Sequence, residues 1–387
     1  MERNAINEAL LNALVDRSLN DIERDPHRSI RKIADLGAHL AHGRFQRHFL
    51  SLARTMLADD SSPYYSLCEN TVRTTRRDAL KHFSIALGFH SWTCGAAFIR
   101  KQEAQNGRDI PWMITCRLSS QEAALSLGSL VQQGQALGVF SYALIAEEST
   151  SLSAVFEVIE AYPDCAFSLL LSPEALTVPV LEQISECTNL LTLVRAIPEQ
   201  WQETMRVLAE QGSPRALYLP YSSAEEVQEA LNEGYCGESE DYESGLLFFV
   251  AQADCPAAET VLVQEMVEHF RTAPTAPWLP VNFYTDMLSI DRIISSGGCL
   301  MCFEGSVVQI YSNGHWVSMS ASSELASAAE CRLKPLNCCE IQKAICSTYR
   351  WLFVIQCISS KPAERPAVLL PHCILQWHAA PPTVFRG

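Results

Sequence analysis

Two arginines could bind a ligand, because positive charge is scarce around them. Residues 111–330 contain 6 Lys or Arg and 29 Asp or Glu. Arg117 and Arg195 each come at the end of a short apolar run that predicts a buried strand. A guanidinium at such a position can bind a carboxylate or a phosphate. The alternative is that each arginine forms a structural ion pair with one of the many nearby acids.

Cys299 and Cys302 form one C-x2-C pair, which is half of a tetrahedral zinc site. Cys338 and Cys339, with Cys331, could supply a second pair, but their spacing matches no standard site. We interpret these thiols as buried or idle and predict no metal site. The odd total of 15 cysteines and the charged N-terminus, which lacks an apolar signal core, predict reduced thiols in the cytoplasm.

Charge and hydropathy argue against several classes of function. The net charge of −23 over residues 111–330 is unsuited to a nucleic-acid backbone, so we predict no nucleic-acid partner. No apolar run approaches the roughly 18 residues of a membrane span, so we predict no membrane partner. The sequence contains no H-E-x-x-H, P-loop, G-x-S-x-G or G-x-G-x-x-G motif.

The hydrophobic period divides the chain into regions. Residues 1–108 have apolar residues at helical spacing and predict a helical N-terminal domain. Residues 109–298 alternate apolar strands with amphipathic helices, which predicts an α/β barrel or partial barrel built on a parallel sheet. Residues 299–330 contain Asn313-Gly314 between two β-rich runs, Cys302–Tyr311 and Trp316–Met319, which predicts a β-hairpin. The basic, cysteine-rich tail, residues 331–387, receives no assignment.

Seven strands and six helices are predicted in the barrel region. The strands are Trp112–Cys116, Val139–Ile145, Cys165–Leu171, Leu190–Val194, Ala216–Leu219, Leu246–Val250 and Leu279–Phe283. The helices cover residues 120–136, 151–161, 173–186, 199–211, 223–233 and 257–271.

The order of short motifs resembles radical SAM proteins that carry an N-terminal helical domain. The motifs are Asp25-Pro26, Ser62-Pro63-Tyr64-Tyr65, Ile110-Pro111-Trp112, Gln133 to Gly138, Tyr162 to Phe167 and Ser296 to Cys299, followed by the hairpin. This resemblance implies a (β/α)6-type partial TIM barrel. In the family, three cysteines spaced C-x3-C-x2-C bind a [4Fe–4S] cluster, which in turn binds S-adenosylmethionine.

This chain departs from the family pattern at three places. The loop after the first strand begins at Cys116 and has no further cysteine before the helix. The second strand ends with Ile145 to Ser149 instead of a Gly-Gly-Glu-Pro run. Met319 stands where relatives with a hairpin have a cysteine. The resemblance therefore implies a degenerate member, and we predict that it takes no cofactor.

From these observations we predict a non-catalytic scaffold that binds a partner protein, a peptide or a small anion at the barrel mouth. The alternative is an enzyme: a radical SAM protein with atypical cluster ligands, which would use a [4Fe–4S] cluster and S-adenosylmethionine, or a cluster-free barrel enzyme. Barrel proteins place their functional residues at the carboxyl ends of the strands. The candidate ligand-binding residues there are Arg117, Glu147, Glu148, Arg195 and Tyr221, with Gln252, Asn282 and Tyr284 as further polar residues.

Overall fold

The computed structural model of the chain describes residues 2–40, 53–107, 109–147, 150–198, 200–232, 245–272, 278–295, 298–304, 307–312 and 315–319. The described residues before residue 108 are mainly helical. The helices are α1 (Glu2–Arg24), α2 (Pro26–Leu40), α3 (Pro63–Thr74), α4 (Arg77–Ile85), a π-helix (Ala86–Gly95) and α5 (Ala96–Asn106). One large buried core joins these helices to the sheet, because Ile22 and Trp92 belong to the same apolar cluster as Leu144. A second, smaller cluster lies within the helices and consists of Val15, Leu19, Leu80 and Ile85.

Strands and helices alternate from residue 113 onwards. The strands are β1 (Met113–Leu118), β2 (Ser141–Ala146), β3 (Ala166–Leu171), β4 (Leu190–Arg195), β5 (Arg215–Tyr221), β6 (Gly245–Ala251) and β7 (Trp278–Asn282). The helices are α6 (Gln121–Leu137), α7 (Ser153–Ala161), α8 (Val178–Glu186), α9 (Trp201–Glu210), α10 (Ala224–Asn232), α11 (Ala257–Thr272) and α12 (Phe283–Ile294). A short 3-10 helix (Pro173–Ala175) precedes α8, where one continuous helix was predicted.

All strands belong to one sheet that curls into a half-barrel. Its order is β10-β9-β8-β1-β2-β3-β4-β5-β6-β7, where β8 is Leu300–Glu304, β9 is Val307–Ser312 and β10 is His315–Met319. The strands from β1 to β7 pair in parallel with their neighbours in sequence, as the alternating pattern predicts. A curled parallel sheet brings the carboxyl ends of its strands to one face.

Strand β8 corrects the prediction for residues 302–311. We expected one β-rich run there as the first arm of the hairpin. The structure instead divides it, with β8 parallel to β1 and β9 antiparallel to β8. The hairpin itself consists of β9 and β10, with Ser312 opposite His315, and the predicted turn at residues 313–314 lies outside the described residues.

Helix α12 was not predicted and contacts the inside of the sheet. It touches β6, β7 and β8 and also α5. Nearly every residue of the helix is buried, as is typical of a helix that is surrounded by protein. The start of β1 is fixed to α12: the indole Nε1 of Trp112 donates to Met287 O at 3.0 Å, and its backbone N donates to Asp291 Oδ1 at 2.8 Å.

The division into domains at residues 108, 298 and 330 stays a prediction, and the tail from residue 331 lies outside the described residues. None of the helices that the structure describes combines the length and the apolar character that a membrane span requires.

Candidate functional site

A cleft of about 450 Å³ opens at the carboxyl ends of the parallel strands. Strands β1 to β6 each contribute side chains or a following loop, and α12 contributes one side chain. The residues that line it are Arg117, Ile145, Leu170, Arg195, Tyr218, Pro220, Val250, Ala251, Gln252, Ala253, Asp254 and Tyr284. The structure therefore brings both predicted arginines, Gln252 and Tyr284 into one cavity.

Arg117 lies deep in the cleft and is partly buried. In the sheet it is level with Ile145 on one side and Glu304 on the other. Burial opposes its charge, but the neighbouring Tyr284, Cys302 and Glu304 outweigh burial and raise the pKa of the guanidinium. Among the described residues, no carboxylate oxygen lies within 4.0 Å of an Arg117 guanidinium nitrogen, the distance that defines an ion pair. The guanidinium is therefore charged and has no anionic contact partner in that part of the chain.

Arg195 lies nearer to the solvent. The register runs from Arg117 to Ile145, Leu170 and then Leu193, so Arg195 is two residues farther along its strand. Two residues correspond to roughly 7 Å towards the mouth of the cleft. The side chain is exposed, and it too forms no ion pair with a described residue.

Tyr218 lies level with Arg195 on the next strand. Burial raises the pKa of the Tyr218 phenol, while the positive charge of Arg195 lowers it. The two side chains thus interact at the outer part of the cleft.

Tyr284 supplies an unused hydrogen-bonding group to the cleft. Its side chain is 1% exposed, and its hydroxyl has no hydrogen-bond partner among the described residues. The ring is fixed from behind by two aromatic rings of the hairpin: Tyr311 at 5.5 Å and Trp316 at 4.9 Å between centroids. Burial raises the pKa of this phenol, so the hydroxyl stays protonated and can donate a hydrogen bond. Buried donors usually have an acceptor, and a bound ligand can provide one.

Glu147, Tyr221 and Asn282 are not among the described residues that line the cleft. Glu147 is exposed in the loop after β2, where its backbone N donates to Thr150 Oγ1 at 3.1 Å. Glu148 lies outside the described residues. Tyr221 is fully buried and donates to Asn282 Oδ1 at 3.1 Å, and Asn282 in turn donates to the Thr260 carbonyl at 3.3 Å.

Cys299 and Cys302 are both buried, and neither forms a disulfide with a described cysteine. Burial raises the pKa of Cys302 to about 11, although the charge and hydrogen bond of Arg117 act in the opposite direction. Burial also raises the pKa of Cys116. Within the described ranges, no three His, Cys, Asp or Glu side chains gather as they would around a metal ion. Cys338 and Cys339 lie outside those ranges.

Sequence reasoning missed some residues of the cleft. Tyr218 lies inside β5, and its alternation with Pro220 is the signal that places both on one face. In the sequence, Ile145 and Leu170 are apolar residues of predicted strands, and nothing distinguishes them from core residues. Asp254 follows β6 in a loop, and nothing in its neighbourhood distinguishes it from the other acids of this region.

No family model and no curated protein matches the chain. Solved structures of Streptococcus suis SuiB are similar to it in fold. SuiB bound to S-adenosylmethionine has 10% identity and a TM-score of 0.41 over 64% of this chain and 72% of that chain. SuiB bound to its precursor peptide SuiA has 9% identity and a TM-score of 0.38, over 54% of this chain and 61% of that chain.

The comparisons correct one prediction from the sequence. We predicted that the chain takes no cofactor, and a structure similar in fold is bound to S-adenosylmethionine. The prediction of no cofactor is therefore wrong as stated. At TM-scores of 0.41 and 0.38, the likeness carries neither a family nor the activity of SuiB over to this chain.

Proposed function

We propose that the cleft binds a ligand through a carboxylate or another oxyanion, which Arg117 and Arg195 contact. The observation that carries this proposal is that two arginines line one cavity without an ion-pair partner among the described residues. The proposal concerns binding and includes no chemical step.

The other arginines of residues 111–330 show how unusual these two are. Arg206 forms ion pairs with Glu203 and Glu210, and Arg271 pairs with Asp286. Arg215 donates to Thr74 Oγ1 at 2.9 Å. Arg206 and Arg271 thus pair with carboxylates of this region, whereas Arg117 and Arg195 form no ion pair with a described residue. A bound ligand could therefore provide the anionic partner of Arg117 and Arg195.

The size and composition of the cleft suit a small molecule or the end of a peptide. Ligand cavities usually measure about 300–1,000 Å³ and combine apolar walls with a few polar groups. Here Ile145, Leu170 and Val250 form apolar walls, and the arginines and tyrosines supply the polar groups.

Calorimetry on arginine variants tests the proposal. S-adenosylmethionine is the first ligand to titrate, because its amino-acid end carries a carboxylate, followed by short peptides with free carboxyl termini. Arg117→Gln and Arg195→Gln should each weaken binding by about 1.5–3 kcal/mol, which is the usual contribution of a hydrogen bond to a charged group. Arg206→Gln is the matched control, since Arg206 is not among the residues that line the cleft, and it should leave binding unchanged.

The melting temperature separates this proposal from a structural role. Variants at Arg117 and Arg195 should melt close to the unmodified protein while they lose affinity. A clear fall in melting temperature with unchanged binding would show that the arginines stabilise the fold instead. Failure of every anion in the panel to bind would refute the proposal.

A second candidate is a radical SAM enzyme, which the resemblance implies. A [4Fe–4S] cluster needs cysteine thiolates. The described cysteines do not fit it, because they form no group of three or more ligands that could hold a metal. The remaining candidates for ligands are outside the described residues, with Cys338 and Cys339 foremost.

Anaerobic reconstitution with iron and sulfide tests the enzyme candidate. Four irons per chain, reduced by Cys338→Ser or Cys339→Ser, would establish a cluster with atypical ligands. Cys187→Ser is a suitable control, because this partly buried thiol lies after α8.

A further inference from the structure

The cleft contains two separate cationic positions, each with an arginine beside a tyrosine. The deep position is Arg117 with Tyr284, and the outer position is Arg195 with Tyr218. At the deep position a charged guanidinium and an unpartnered phenol hydroxyl are both available to one oxyanion. At the outer position the guanidinium is exposed to solvent.

The sheet register keeps these positions apart. Arg117 is on β1 and Arg195 is on β4, so three strand spacings separate them, which is roughly 14 Å along the sheet. The outer position is also roughly 7 Å nearer the mouth, as its register shows. The two guanidinium groups therefore extend from different strands and different depths of the cleft, which favours contacts with two separate oxyanions over one that is shared.

The surface between the two positions is apolar. Ile145 of β2 and Leu170 of β3 lie between Arg117 and Arg195 and face the same cleft. The remaining charged residue that lines the cleft among those described is Asp254, which is exposed on the loop after β6. Glu304 is level with Arg117 on its other side, beyond ion-pair distance.

We infer that the cleft is built for an elongated ligand that carries two oxyanions on an apolar spacer. One oxyanion would accept hydrogen bonds from Arg117 and Tyr284, the spacer would contact Ile145 and Leu170, and the second oxyanion would pair with Arg195. This inference rests on the proposed function, since it assumes that the cleft binds anions, and it adds the class of the ligand.

Linear dicarboxylates are probes that match this class. Adipate, suberate and sebacate present two carboxylates on spacers of increasing length, and octanoate is the control with the chain length of suberate and one carboxylate. We expect one dicarboxylate of the series to bind best and to bind at least about tenfold more tightly than octanoate, because it gains a second charge-assisted contact. Dissociation constants come from calorimetry or from ligand-observed NMR.

Variants assign each carboxylate to its position. Arg195→Gln should reduce the best dicarboxylate to the affinity of octanoate and leave octanoate unchanged. Arg117→Gln should weaken both probes at least about tenfold. Tyr284→Phe removes the hydroxyl, keeps the ring that packs on Trp316, and should weaken both probes about three- to tenfold. Thermal melts of each variant confirm that the fold is retained.

The possible results separate this inference from the proposed function. If octanoate binds in a manner that depends on Arg117 and no dicarboxylate binds more tightly, the two-anion ligand is refuted and anion binding stands. The inference is also overturned if a dicarboxylate binds more tightly than octanoate but its affinity is the same in the Arg195→Gln variant. If neither kind of probe binds, the two-anion ligand is refuted, and the proposed function fails as well only if S-adenosylmethionine and the peptides also do not bind.

Discussion

Arg117 lies in the sheet and Arg271 lies on a helix that packs against it, and the two differ in how their charge is compensated. Arg271 on α11 is fully buried and pairs with Asp286 of α12, and its Nε donates to Pro280 O at 2.7 Å. Asp286 in turn accepts from the Asn282 backbone N at 3.0 Å and from Gln264 Nε2 at 3.2 Å. Arg271 and Asp286 therefore both find their partners within the protein. The cleft supplies no carboxylate to Arg117 from the described residues.

The difference separates a structural charge from one that is available to a ligand. A buried ion pair with complete hydrogen bonding holds elements together, and the loss of one member leaves the other charge uncompensated. A cation at the edge of a cavity costs little, because water solvates it until a ligand arrives. The two regions should therefore respond in opposite ways to substitution.

The largest expected effect is at the buried pair. Asp286→Asn should lower the free energy of unfolding by about 3–5 kcal/mol, because Arg271 remains buried without its counter-charge. Urea titration followed by circular dichroism measures this loss. Glu203→Gln removes one partner of the exposed Arg206 and should cost less than about 1 kcal/mol. Equal losses for the two variants would contradict the comparison.

Asp291 sharpens the comparison, because it is a buried carboxylate without a cation within ion-pair distance among the described residues. Burial raises its pKa to about 8, although the backbone N–H groups of Cys299 and Trp112 act in the opposite direction. The folded protein therefore holds a proton that the unfolded chain releases above about pH 4. Stability contributed by this group is complete below that pH and is lost as the pH rises towards 8, at about 1.4 kcal/mol per pH unit.

Unfolding at two pH values tests this assignment. Between pH 5 and pH 7 the free energy of unfolding should fall by about 2–3 kcal/mol more in the unmodified protein than in Asp291→Asn, which cannot ionise. Parallel pH profiles for the two proteins would show that Asp291 does not titrate in this range.

The smallest expected effect on stability is in the cleft. Arg117→Gln and Arg195→Gln should change the free energy of unfolding by less than about 1 kcal/mol, since neither breaks an ion pair with a described residue. The same urea titration measures both. A loss near 3 kcal/mol at Arg117 would place it with Arg271 among the structural charges.

The repeated pattern of strands and helices could be predicted, because β1 to β7 are apolar runs that alternate with amphipathic helices. Helix α12 was missed because it begins directly after β7, and because its polar residues, among them Asp286 and Asp291, are buried and so do not mark a solvent-facing side. Strand β8 was missed for a related reason. Its five residues run almost directly into β9, and only pairing with distant β1 distinguishes the two.

Part of the cleft could also be predicted from the sequence. Arg117 and Arg195 were found because arginine is rare in this region and each comes at the end of an apolar run. Tyr221 was placed at the same edge, but its side chain turns to Asn282 instead of the cleft. The direction of a side chain at the end of a strand depends on register and curvature, which neighbouring residues alone do not specify.

The pairing of β1 with β8 has a consequence for how the protein forms. During synthesis β1 leaves the ribosome early, whereas β8 follows only after all the strands from β2 to β7. At about 5–20 residues per second, one edge of β1 waits roughly 10–40 s for its partner. Pairing over so long a stretch of chain is intrinsically slow. The exposed edge of β1 is thus the place where a nascent chain is most open to mispairing or to capture by a chaperone.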